Sequence, residues 1–115
     1  MNWKNPAAPI YYRLDDQHQP VAVTDILEWG RWFETADRHV ADTRLDDGVR
    51  ISTVFLGIDH QFGDGPPILF ETLIFGGPHD QEMFRYATWA QANAGHTEVV
   101  RAIIESRNPN PADGV

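Results

Sequence analysis

Apolar positions recur along this chain with two different periods, and each period predicts a different kind of element. Ile10-Tyr11-Tyr12-Arg13-Leu14 is a short β-prone run, Asp15-Asp16-Gln17-His18 a polar turn, and Val21-Ala22-Val23 follows Pro20. A hairpin or strand–turn lead-in fits, with Pro20 kept out of the middle of a paired strand because it has no N–H to give. From residue 24 the spacing becomes three and four. Ile26, Trp29, Gly30, Phe33, Ala36 and Val40 fall on one helical face. Thr24 can cap the start, Asp25 and Glu28 suit the first turn, and Arg38 and His39 the last. Trp32 lies off the centre of that stripe, as a boundary residue would. Trp29 and Trp32 are therefore the candidate contact residues of this helix.

The period then shifts back. Ala41–Leu45 and Val49–Ile58 flank Asp46-Asp47-Gly48, and Asp-Gly between two β-prone runs signals a hairpin. On the second of these strands Val49 and Ile51 share one parity, whereas Val54, Leu56 and Ile58 share the other. That pattern predicts either a bulge near Ser52–Thr53 or burial of both faces. Asp59–Pro67 reads as a loop. Ile68–Phe75 is apolar on both parities, as in a central strand covered twice or a strand at an oligomer contact. Gly76-Gly77-Pro78 ends it, and Met83–Ala87 gives another short strand.

Thr88-Trp89-Ala90-Gln91 has the spacing of a capping box and opens a second helix. Trp89, Ala92, His96, Val99, Val100, Ile103 and Ile104 form its apolar stripe, Arg101 and Arg107 suit its C-terminal half, and Asn108-Pro109 stops it. The predicted fold class is α+β: one antiparallel sheet of about four to five strands with two helices packed on it. Residues 1–9 read as an irregular arm, 10–107 as one α+β domain, and 108–115 as a disordered tail.

Composition narrows the chemistry. At 115 residues with 42% apolar side chains, the chain can bury a core without staples. It has no cysteine, which excludes disulfides, thiolate metal sites and thiol catalysis. A net charge of −8 with no basic stripe argues against binding a nucleic-acid backbone. The acids are spread along the chain, which serves solubility or presents an acidic surface to a basic partner. Met1–Ile10 has no apolar run, so a signal peptide is not expected, and no stretch approaches the ~20 apolar residues of a membrane span. The expected location is cytoplasmic.

No phosphate-cradling glycine loop, zinc-type histidine pair or nucleophile elbow is present in the sequence. Asp59-His60 and His79-Asp80 look like a mirrored metal pair, but they flank an eight-residue strand of ~27 Å, at about 3.4 Å per residue. They cannot share one ion, and neither a metal nor a cofactor is expected. Glu71 interrupts the apolar strand, and His96 lies two turns into the last helix. The strand and helix rises place them at similar depth, at ~10 Å and ~12 Å. If both face inward, they form either a satisfied structural pair or a general base in a pocket. Glu71 and His96 are thus the candidate catalytic residues. Asp59, His60, Gly63 and Gly65 are the candidate ligand-binding residues, because glycines allow backbone to approach a ligand closely.

One stretch carries a resemblance. Ser52-Thr53-Val54-Phe55-Leu56-Gly57-Ile58-Asp59-His60, then Gly65-Pro66-Pro67-Ile68-Leu69-Phe70-Glu71-Thr72 and Ile74-Phe75-Gly76-Gly77, resembles a family of small proteins encoded by bacteriophages and prophages. Trp29–Glu34 upstream and Tyr86–His96 downstream fit as well, so the likeness spans roughly residues 10 to 105. That family carries no assigned activity, so the resemblance implies a phage-type accessory protein and no mechanism. The expectation is a non-enzymatic protein that binds a host protein or a small ligand, in a counter-defence role for example, and works as a homo-oligomer. The alternatives are a small hydrolase-like enzyme using Glu71 and His96, and a minor virion or assembly component.

Overall fold

The computed structural model describes residues 9–61 and 63–107; the tail expected at 108–115 and all but Pro9 of the arm lie outside them. The elements in order are β1 (Tyr11–Leu14), β2 (Pro20–Val23), α1 (Ile26–Thr35), β3 (His39–Arg44), β4 (Arg50–Phe55), β5 (Phe70–Phe75), β6 (Met83–Tyr86) and α2 (Trp89–Ser106). The class is α+β. The strands fall into two antiparallel sheets, however: a four-stranded meander β3-β4-β5-β6 and a separate hairpin β1-β2.

Gly57 explains the separation. Its φ is +81°, and a Cβ there would lie 3.0 Å from the Phe33 ring and 3.2 Å from Trp29. Only glycine takes this conformation at this contact without strain. The chain turns out of β4, and β1 meets the extension beyond it through Tyr12 N–H to the Gly57 carbonyl and Asp59 N–H to the Ile10 carbonyl, both 2.9 Å. The hairpin therefore attaches beyond the meander instead of becoming its fifth strand.

The first helix departs from its predicted bounds. Asp25, not Thr24, is the N-cap, its Oδ1 accepting from the N–H groups of Leu27 and Glu28. The helix stops at Thr35, so Arg38, His39 and Val40 lie beyond it. Asp37 Oδ1 accepts from the N–H of His39 at 3.1 Å, a local turn that competes with further helix. Val40 sits at a register shift in β3 and packs with the core as a strand residue. The bulge is thus at Val40; β4 pairs regularly with β5, and Ser52 is buried as well as Ile51 and Thr53.

The second helix forms as its capping box requires. Gln91 N–H donates to Thr88 Oγ1, and Gln91 Oε1 accepts from the Thr88 N–H. It crosses one face of the meander and touches all four strands. On that face Ile51, Thr53 and Phe55 of β4 and Phe70, Thr72 and Ile74 of β5 are fully buried. The apolar residues form two clusters: Val49, Ile51, Ile74 and Ile103 toward the C-terminus of α2, and Phe55, Leu69, Phe70 and Ala92 toward its N-terminus. Each buried large apolar side chain contributes roughly 1.5–3 kcal/mol. Helix α1 packs on β1 and β2, and Trp32 reaches the edge of the Phe55 ring on this same face.

Candidate functional site

Between the two apolar clusters runs a polar seam. Ala92, His96 and Ile103 share one stripe of α2, so the imidazole enters the core between an alanine and an isoleucine that serve different clusters. Below it, Thr53 of β4 faces Thr72 of β5 in register, and Thr43 of β3 sits two residue pairs along, opposite Ile51. These threonines lie on the covered parity because strand faces alternate.

The seam is hydrogen-bonded from end to end. Tyr86 Oη lies 3.1 Å from Thr72 Oγ1, and Thr72 Oγ1 2.5 Å from Thr53 Oγ1. Thr53 Oγ1 is 2.7 Å from His96 Nδ1, and His96 Nε2 is 2.8 Å from Thr43 Oγ1. His96 is 5% exposed, and burial holds its pKa below the ordinary value of 6.5, against a smaller opposing pull from Asp42. The ring is thus neutral at physiological pH, with one donor nitrogen and one acceptor nitrogen. Threonine hydroxyls suit it because each can give or take. Among the described residues no buried side-chain nitrogen or oxygen lacks a partner.

Each end of the seam opens into a groove beside α2. The first, of about 600 Å³, lies between α2 and the edge strand β6, and Phe84, Tyr86, Val99 and Ala102 line it with Ile74. His79 and Glu82, hydrogen-bonded at 2.8 Å, also line it. Gly95 makes this geometry possible: a Cβ there would fall 2.3–2.5 Å from the Tyr86 ring and hydroxyl. Without it the ring could not slide under the helix to reach Thr72. The second groove, of about 370 Å³, lies on the β3 side and is lined by Thr43, His96, Val100 and Ile104 among others.

Of the two candidate catalytic residues only His96 is in this site. Glu71 is on the opposite face of β5, its carboxylate bonded to Arg85 at 3.0 Å. Thr72, one residue on, takes the inward position expected of Glu71. Depth along a strand does not determine parity, and the expected Glu71–His96 pair is not formed.

The loop candidates have local duties. Asp59 Oδ1 accepts from the N–H groups of Gln61 and Ile68, closing the loop base, and His60 Nδ1 bonds the Ile58 carbonyl at 2.8 Å. Gly65 backs onto the Gln61 side chain, while Gly63 faces open space. Neither groove is lined by Asp59, His60, Gly63 or Gly65. Asp80 likewise accepts from the Gly76 N–H at 2.6 Å. Among the described residues no three His, Asp or Glu side chains converge on a point that could hold a metal ion.

Trp29 and Trp32 are both half-buried in contacts within the chain. Trp29 donates its indole N–H to the Tyr12 carbonyl at 2.9 Å and packs between Tyr11 and Phe33. Trp32, expected at the boundary, packs against Phe55 of the core. Sequence reasoning missed Thr43, Thr53, Thr72 and Tyr86, because β-branched and aromatic residues in strands read as ordinary strand propensity. No helix among the described residues is long and apolar enough to cross a membrane. Comparison with protein-family models, curated proteins and solved structures finds no match.

Proposed function

We propose that this chain is a non-enzymatic binding protein, of the phage accessory type its sequence resembles, that holds a small ligand in the groove between β6 and α2. The observation that carries the reading is the groove itself. Its volume of about 600 Å³ is in the range of small-molecule sites. Its walls are mostly apolar, and they include Phe84, a large aromatic side chain left 41% exposed. A few polar groups, the Tyr86 hydroxyl and the His79–Glu82 pair, are placed to orient what binds. The buried imidazole beside it is neutral and bonded at both nitrogens, an arrangement that favours structure over proton abstraction.

The open face of the meander gives the expected homo-oligomer its specific support. Leu73 and Phe75 are half-buried there and Met83 is 49% exposed, on the face of the sheet opposite α2.

Fragment binding followed by the methyl resonances of Val99 and Ala102 tests the ligand reading. Aromatic fragments should shift these methyls at micromolar to millimolar concentration. The Val99 shift should vanish in Ala102→Trp, which fills the groove from an exposed helical position. A fragment set that leaves both methyls unmoved, or binds Ala102→Trp equally well, would refute the reading.

A further inference from the structure

The seam has a property that follows from counting its protons. Each of its four hydroxyls carries one proton, and a neutral imidazole carries one N–H. Among the described residues Tyr86 Oη bonds only Thr72, and Thr43 Oγ1 bonds only His96. If every link is to be a hydrogen bond and no proton of the fully buried Thr53 and Thr72 hydroxyls is to be stranded, all the links must run in the same direction. Only two arrangements satisfy the chain.

In the first, Tyr86 donates to Thr72, Thr72 to Thr53, and Thr53 to His96 Nδ1. His96 then donates its Nε2–H to Thr43, and the proton of Thr43 is free to face the second groove. In the other, Thr43 donates to Nε2, the Nδ1–H to Thr53, Thr53 to Thr72, and Thr72 to Tyr86. The proton of Tyr86 is then the free one, on a residue that lines the first groove. The ends of one chain thus lie in two grooves, and only one of them can offer a donor at a time. A phenol is a stronger acid than an aliphatic alcohol, so with both grooves free of ligand Tyr86 donates inward and His96 carries its proton on Nε2. Links in a low-dielectric interior polarise one another, which makes the reversal cooperative.

We propose that this chain couples the grooves. A ligand in the β6–α2 groove that accepts a hydrogen bond from Tyr86 moves the His96 proton from Nε2 to Nδ1 and takes the Thr43 proton away from the second groove. No bond other than O–H and N–H is made or broken, and the proton count is unchanged. The inference rests on the ligand reading above and deepens it, because it names the class: an apolar or aromatic body bearing a carbonyl-type acceptor. It also assigns Tyr86 as the residue that reads the acceptor. An uncharged acceptor suits a protein of net charge −8 better than a carboxylate does.

The test uses the full chain, ¹⁵N-labelled, with acetophenone as the acceptor-bearing probe and toluene as its counterpart without an acceptor. The ¹⁵N shifts of the His96 ring report its tautomer, and the Val99 methyls report occupancy of the groove. Free protein should show the Nε2–H form. Acetophenone should exchange the shifts of the two ring nitrogens, and toluene should bind without exchanging them. In Tyr86→Phe, acetophenone should still move the Val99 methyls, and the exchange should be lost. Occupancy by acetophenone with unchanged ring nitrogens, exchange by toluene, or an Nδ1–H form in the free protein would overturn the coupling and leave the groove reading intact. Val99 methyls that respond to neither probe would overturn both.

Discussion

The two faces of the four-stranded sheet handle polar groups in opposite ways. On the face under α2, polarity is neutral, buried at its centre and shared along one line, from Tyr86 through Thr72, Thr53 and His96 to Thr43. On the open face it is ionic, partly exposed and confined to pairs: Asp42 with Arg50 at 2.8 Å and Glu71 with Arg85 at 3.0 Å. The difference follows from solvation. Water reaches both pairs, through Asp42 and Arg50 in one and chiefly through Arg85 in the other, so each is worth on the order of 1 kcal/mol and can be lost singly. Beneath the helix nothing replaces a missing partner, so removing one hydroxyl strands its neighbours. Glycines and apolar side chains shape the grooves, but the seam determines which groups have to stay together.

The sharpest way to break the comparison is Thr53→Val, a near-isosteric loss of the hydroxyl at the centre of the seam. Unfolding in urea should show a destabilisation of about 1–3 kcal/mol, because the His96 Nδ1 and the Thr72 hydroxyl each lose a partner in the core. A change below about 0.5 kcal/mol would mean that the seam is wet or loosely bonded.

A smaller effect should appear with pH. Burial lowers the pKa of His96 below 6.5, so at falling pH the unfolded chain takes up a proton there before the folded chain does. Stability contributed by this group is therefore full above about 6.5 and declines below it, by at most about 1.4 kcal/mol per pH unit. The decline ends where the folded imidazole itself becomes protonated. The depressed carboxylates of Asp15, Asp37, Asp42 and Asp47 act in a lower window, since stability they contribute is present above about 3.8 and is lost as pH falls further. Urea midpoints measured from pH 7.5 to 5 should fall in the natural chain and stay flatter in His96→Asn.

The smallest effect is expected on the open face. Glu71→Gln should change stability by about 1 kcal/mol or less, since the amide oxygen still accepts from Arg85, which is 40% exposed, although Glu71 itself is 14% exposed. A cost equal to that of Thr53→Val would put the two faces on the same footing and end the contrast.

What was legible in the sequence was what is local. The Thr88–Gln91 capping box and the Asp46-Asp47-Gly48 turn each specify structure within four residues, and both formed where the residues indicated. Helix α1 is shorter than its spacing predicts, because Ala36 and Val40 continue the period by coincidence while the Asp37 turn intervenes. The site was hidden for a different reason. Phe70-Glu71-Thr72-Leu73-Ile74-Phe75 is apolar on both parities, so no pattern within the strand says which set faces inward. His96 stood out as a polar residue on an apolar stripe. Its partners are threonines from three strands, brought together only by register.

The rings at one end of the molecule form an unbroken file: Tyr11, Trp29, Phe33, Trp32, Phe55, Phe70, Trp89 and His18, each 4.0–6.4 Å from the next. All three described tryptophans belong to it, and none belongs to the Ile51–Ile103 cluster at the other end. Indole emission from these residues therefore watches half the core. Among the described residues the Ile51–Ile103 half holds no tryptophan, so its loosening would go dark to the emission of these three, and a melt followed by that light alone would record one end's unfolding as the whole protein's.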